Sequence, residues 1–205
     1  MNLAKTSSKR KLLLVTIVGF ALCITFILYL SLKSPIHNNP TPITVYTATI
    51  PKPEKVNFGF PVRLKIPTIN VDAALDYVGL TPGGDLDAPK GPVNAGWYDH
   101  GPRPGEKGSS VIDGHFDYKN NIPAVFNNLH TLQKGDKLYV EDERGTTITF
   151  VVRKLSTYRQ NEDHSDVFRS SDGKAHLNLI TCQGVWNQAL KSYSTRLVVF
   201  ADKEV

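Results

Sequence analysis

The chain has 205 residues, enough for one domain plus an appendage, and 40% hydrophobic with 21% charged residues excludes a disordered or collagen-like chain. Of its 24 Lys and Arg, five (Lys5, Lys9, Arg10, Lys11 and Lys33) fall in residues 1–33, where there is no acid. The rest carries 19 basic against 19 acidic side chains, so the formal +5 gives no basic excess outside the N-terminus and nucleic acid is not an expected partner.

Residues 12–32, LLLVTIVGFALCITFILYLSL, hold no charge and are flanked by Lys11 and Lys33. As a helix at 1.5 Å per residue they reach about 31 Å, the thickness of a bilayer's hydrocarbon core. A cleaved signal peptide has a shorter apolar region and a small-x-small site, which Tyr29-Leu30-Ser31-Leu32-Lys33 does not offer. The expectation is a single-pass transmembrane anchor at 12–32. The basic excess before it puts 1–11 in the cytoplasm and everything after it outside the cell. Residues 33–59, with Pro35, Pro40, Pro42, Pro51 and Pro53, read as an extended extracellular linker. The folded domain is drawn over 60–205.

From Phe60 onward the pattern is strands with short breaks. Arg63-Leu64-Lys65-Ile66 alternates and stops at Pro67, and 71–80 ends at the turn Thr81-Pro82-Gly83-Gly84. Residues 89–108, rich in Pro and Gly, are expected to be loop, and 109–116 a strand. Pro123 to Leu129 reads as one or two helical turns with proline at the first position. Residues 137–141 and 146–154 form a hairpin around Glu143-Arg144-Gly145, and 177–181 and 196–201 are the last strands. Short strands with little helix predict an all-β, closed or nearly closed barrel.

Two cysteines are present, Cys23 and Cys182, and Cys23 within the anchor cannot reach Cys182, so the outer domain keeps one unpaired thiol. A free cysteine is commonly a small buried hydrophobe. Alternation along Leu177-Asn178-Leu179-Ile180-Thr181 puts Asn178, Ile180 and Cys182 on one face and Leu177, Leu179 and Thr181 on the other. A strand end presents a side chain to a cleft, but a thiol needs a base or an ion-pair partner to act as a nucleophile. His115, closing Ser110-Val111-Ile112-Asp113-Gly114, is the best placed of the six histidines, although a satisfied structural histidine is the blander reading. Arg196 opens the apolar run 197–201 and brings a fixed positive charge to a strand mouth, or only a structural ion pair.

Three segments, Val111-Ile112-Asp113-Gly114-His115, Leu179-Ile180-Thr181-Cys182 and Arg196-Leu197-Val198-Val199-Phe200-Ala201, resemble in this order the Gly-His, Thr-Cys and Arg motifs of the sortases. These are membrane-anchored cysteine transpeptidases of Gram-positive cell surfaces. Pro123-Ala124-Val125-Phe126 and Leu132-Gln133-Lys134-Gly135-Asp136 further resemble their class F branch. The resemblance implies an eight-stranded sortase barrel with Cys182 as nucleophile, His115 as general acid/base and Arg196 as the cation at the oxyanion and substrate. Ile180, Thr181 and Asp113 would support the groove. It also implies cleavage of a sorting signal like Leu-Pro-x-Thr-Gly between Thr and Gly, with transfer of the thioacyl group to an amine of a peptidoglycan precursor or a pilin lysine. No cofactor or metal is implied.

Many sortases carry a small residue before Gly-His, where this chain has Asp113. Alternation sets Asp113 on the face of His115, where its carboxylate would favour the charged imidazole, although a plain surface aspartate is the blander and preferred reading. Glu162, Asp163 and Asp166 read as solvent-facing rather than as a calcium site. The groove is expected between 156–174 and 183–195, where Trp186 and Tyr193 either stack on substrate or pack locally. Three rivals remain open: a cysteine hydrolase on the same residues, a metal site from Asp99, His100, Asp113, His115 and Asp117, and a non-catalytic wall-binding module.

Overall fold

In the computed structural model the described residues are 24–29, 32, 57–159 and 162–205. The chain divides into two compact units, Met1–Pro53 and Glu54–Val205. In the first, residues 24–29 and 32 are helical with exposed side chains. Among the described residues no helix is long and apolar enough to cross a membrane. Most of the expected anchor at 12–32, and most of the linker, lies outside the described residues.

Among the described residues the second unit has ten strands: β1 (Pro61–Ile66), β2 (Val71–Val78), β3 (Ala95–Tyr98), β4 (Gly108–Asp113), β5 (Asp117–Tyr118), β6 (Ile122–Pro123), β7 (Lys137–Asp142), β8 (Thr147–Arg159), β9 (Ala175–Asn187) and β10 (Ser192–Lys203). Eight of them close a barrel in the order β1-β2-β3-β4-β9-β10-β8-β7, and β5 pairs with β6 in a separate ribbon. The all-β closed barrel expected from the strand pattern is therefore observed. Closure leaves no sheet edge to guard. Two of the barrel pairings, β2 with β3 and β4 with β9, are parallel, so each needs a crossover.

Alternation along each strand fills the interior. Leu64 and Ile66 from β1, Leu138 and Val140 from β7, Phe150 and Val152 from β8, Leu177 and Leu179 from β9 and Val199 from β10 meet in one buried cluster. A second cluster lies on the outer face, where Val111, Ile180, Val198 and Phe200 are covered by Val167. Val167 belongs to a single helical turn, Ser165–Phe168. The outer side of β4, β9 and β10 is thus apolar too, and it carries the candidate site at its end.

Three expectations are corrected. Residues 89–108 are not all loop: β3 lies within them, with Trp97 in the barrel core. Its Gly96 marks close packing rather than a turn, because a Cβ there would press on the Val78 side chain. Pro123–Leu129 is not α-helix. The N–H groups of Ala124, Val125 and Phe126 go to Phe116, Pro92 and His115, and the chain then curls through tight turns into a 3-10 turn at Leu129–Thr131. Of these donors only Phe126 N–H would have bonded within a helix begun at Pro123, and it goes to the His115 carbonyl instead. The predicted strand at 109–116 ends at Asp113, because residues 117–118 turn aside to pair with β6.

Candidate active site

β9 positions the thiol. Leu177 and Leu179 point into the core, Asn178 and Ile180 lie on the outer face, and Cys182 follows on that outer face, half-buried and free of any disulfide. Directly across the ladder, Arg196 pairs with Cys182, as Val198 does with Ile180. Register and alternation thus put guanidinium and thiol on the same face of neighbouring strands.

β4 delivers the imidazole. Its parallel pairing with β9 ends with Asp113 opposite Ile180. One step on, the Gly114 N–H donates to the Ile180 carbonyl at 3.1 Å and the Gly114 carbonyl accepts from the Thr181 hydroxyl at 2.7 Å. Continuing that register sets His115 level with Cys182. Gly114 has to be glycine, since a Cβ would collide with the ring of fully buried Phe126. The three residues that carried the sequence argument therefore converge where β4 ends alongside the inner part of β9 and β10. Thr181 faces inward as a buried link between the two motif strands, and Ile180 belongs to the outer apolar cluster.

Arg196 is held in a fixed pose. Its Nη1 donates to the carbonyls of Tyr193 and Thr195, each at 3.1 Å, and Nη2 to the Ser192 hydroxyl at 3.2 Å. These bonds do not use Nε–H or the second Nη2 hydrogen.

The His115 Nε2 lies 3.1 Å from the Pro89 carbonyl oxygen, and the charges acting on Asp113 are those of Arg196 and Asp87. Desolvation pushes the Asp113 carboxyl up to about 7, while the Gly114 amide and Arg196 pull it back and Asp87 adds to the rise. Desolvation also pushes the Cys182 thiol above its usual range, Arg196 opposes that, and Asp113 and Asp117 reinforce it. Asp113 thus acts on the Cys182 thiol.

Sequence reasoning gave no role in thiol chemistry to Asp117 or Tyr193. The Tyr193 hydroxyl donates to Asp117 at 2.5 Å, and its ring lies against Phe116 and Trp186. Desolvation and that carboxylate push the Tyr193 phenol up to about 12. The contact ties the segment after His115 to the hairpin before Arg196. That hairpin is a further correction, since β9 and β10 run on to Asn187 and back from Ser192, so 183–195 is mostly paired strand. Trp186 and Tyr193 meet edge to face within it. A cleft of about 560 Å³, lined by Arg159, Glu162, Leu190, Tyr193 and Thr195 among others, opens between this hairpin and the end of β8.

Among the described residues no three His, Cys, Asp or Glu side chains are placed to hold a metal ion. The acids weighed for calcium are engaged locally: Asp166 accepts from the Tyr158 hydroxyl, Glu162 from the Arg159 amide and Asp163 from the Ser165 amide. His176 lies buried between Asp202 at 2.7 Å and Asp172 at 3.0 Å.

The family model of the sortase domain matches residues 64–204. Among solved structures the chain is similar to sortase C-1 from Actinomyces oris, at 26% identity and a TM-score of 0.56, covering 71% of this chain and 75% of that one. It is also similar in fold to a lid mutant of sortase A from Corynebacterium diphtheriae, at 22% identity and a TM-score of 0.55, covering 75% and 74%. A Clostridium perfringens sortase D5 transpeptidase matches at 22% identity and a TM-score of 0.53, covering 72% and 79%. No curated protein matches the chain.

Proposed function

Because the chain belongs to the sortase family, we propose that it is a cysteine transpeptidase whose nucleophile is Cys182, whose general acid/base is His115 and whose oxyanion and substrate cation is Arg196. The observation that carries this reading is the direct pairing of Cys182 with Arg196, with His115 level beside them. The Cys182 thiolate attacks the carbonyl carbon of the scissile Thr–Gly bond in a signal similar to Leu-Pro-x-Thr-Gly. As the C–N bond breaks, His115 gives its proton to the departing amine, leaving a thioester on Cys182. An acceptor amine of a peptidoglycan precursor or a pilin then attacks the thioester, His115 takes the amine's proton, and the sulfur leaves as thiolate. The guanidinium supplies positive charge where the oxyanion develops, and its fixed pose costs no reorganisation at that moment.

The cleft beside the β9–β10 hairpin is the proposed place for part of the sorting signal, since it borders Tyr193 and Thr195, close in sequence to Arg196. Residues 12–32 are the proposed membrane anchor, with the barrel on the extracellular side and surface proteins as substrates. The uninterrupted apolar run between Lys11 and Lys33 supports this.

The test is product analysis with a Leu-Pro-x-Thr-Gly peptide and a primary amine. The expected products are the C-terminal fragment beginning at Gly and the Thr-amine amide, both lost in Cys182→Ala. Free acid alone, at saturating amine, would make the protein a hydrolase instead.

A further inference from the structure

The imidazole of His115 carries a constraint that its place at a strand end does not demand. Its Nε2 lies 3.1 Å from the main-chain carbonyl oxygen of Pro89. A carbonyl oxygen can only accept, so this contact requires a proton on Nε2. The nitrogen left to gain and lose a proton is then Nδ1, which no hydrogen bond engages among the described residues.

The Pro89 carbonyl is itself held from several directions. The next amide, Lys90 N–H, donates to the Asp76 carboxylate on β2 at 3.2 Å, and the other oxygen of Asp76 accepts from Asn94 Nδ2 at 2.9 Å. At the far end of the same turn, the Pro92 carbonyl accepts from Val125 N–H at 2.7 Å. The neighbouring amide, Phe126 N–H, donates to the His115 carbonyl at 3.0 Å, and the Phe126 ring is fully buried beneath Gly114. Loop, histidine and the Pro-Ala-Val-Phe segment therefore close a ring of hydrogen bonds. It grips His115 by its ring on one side and by its main chain on the other.

We infer that the Pro89 carbonyl, held by Asp76 and by the Pro92–Val125 bond, fixes His115 as the Nε2–H tautomer and makes Nδ1 the nitrogen that trades protons with the leaving and incoming amines. The identity of those amines rests on the transpeptidase reading, whereas the tautomer does not. In the acylation step the imidazolium loses the Nδ1 proton to the departing amine as the C–N bond breaks and the C–S bond forms. The neutral ring keeps its proton on Nε2. In the second step Nδ1 takes the proton of the attacking amine as the new C–N bond forms and the C–S bond breaks, so the ring returns to imidazolium and the sulfur to thiolate. Asp76 is a positioning residue in this scheme, acting through the Pro89 loop.

Nitrogen NMR of the full chain labelled with 15N-histidine tests this, with the His115 signals identified by their loss in His115→Gln. At a pH where the ring is neutral, the expected spectrum shows Nε2–H alone. Its proton should exchange with water at least tenfold more slowly than in Asp76→Ala, whose spectrum should revert to the mixed tautomers of a free imidazole. Asp76→Ala should also lower kcat several-fold with KM little changed, and Asp76→Asn, which keeps one acceptor, should fall between. A proton on Nδ1 in the unmodified chain overturns the inference without needing any variant, and so does equal exchange in the unmodified chain and Asp76→Ala. These spectra need no turnover. An Nδ1–H spectrum would sink the inference and leave transpeptidation standing, whereas absence of amide product would sink the transpeptidase reading and leave the tautomer standing.

Discussion

Arg196 and Cys182 face each other as paired residues of the β9–β10 ladder, one strand apart on the outer face of the barrel. Desolvation pushes the thiol up and Arg196 is the charge that opposes it. Removing the guanidinium in Arg196→Ala should therefore move the pH midpoint of Cys182 alkylation by iodoacetamide higher, because the thiolate loses its cation. If Arg196 has the proposed oxyanion role, the same variant should lower kcat by roughly 10²–10³-fold. An unmoved alkylation curve would detach Arg196 from the sulfur.

Asp113 pushes in the opposite direction. Its carboxyl titrates at about 7, so above neutrality it adds an anion that disfavours the thiolate. Asp113→Asn should move the alkylation midpoint to lower pH. The sign for stability follows from proton binding. A carboxyl raised from 3.8 to about 7 holds more protons folded than unfolded between those values, so stability declines as pH rises through that window and levels off above it. Asp113→Asn should then raise Tm at pH 8 relative to the unmodified chain and change it little at pH 4. Equal shifts at both pH values would refute the linkage.

The barrel was legible because its strands alternate. Leu177-Asn178-Leu179-Ile180 reads in and out with period two, and the same parity gave the outward face to Cys182. What escaped the sequence was whatever depends on distant chain. β3 sits in a Pro- and Gly-rich stretch because Gly96 answers to the Val78 side chain on β2. The last strands were expected over 177–181 and 196–201, whereas β9 and β10 pair on to Asn187 and from Ser192. Gly184 takes a positive φ of 92° where the register slips between Tyr193 and Thr195, and the strands still pair on either side. The partner of His115 had no sequence signature at all, since it is a main-chain carbonyl.

Gly114 tests how the histidine is seated. A Cβ at this position would collide with the buried Phe126 ring, so Gly114→Ala must displace either that ring or the His115 backbone. Overpacking of this kind costs about 1–3 kcal/mol, read as a lower denaturant midpoint. Because Phe126 N–H holds the His115 carbonyl, activity should fall further than stability does. A fully active, equally stable Gly114→Ala protein would show that the close packing is not required.

Thr181 precedes Cys182 but faces away from it, and its hydroxyl reaches the carbonyl of Gly114, the residue before His115. This 2.7 Å bond is buried and joins the strand that carries the thiol to the strand that carries the imidazole. Thr181→Val keeps the shape and removes the donor, leaving a buried carbonyl short of a partner, which costs about 1–3 kcal/mol. The β4–β9 register is also held by main-chain bonds, so the barrel should survive while the His115–Cys182 spacing loosens. The expected outcome is a kcat lowered about tenfold at unchanged alkylation rate, because the thiol's own surroundings stay intact. Thr181→Ser, which restores the hydroxyl without the methyl group, should recover most of that kcat. If Ser and Val behave alike, the residue matters only for packing, and the bridge to Gly114 has no part in setting the two side chains against each other.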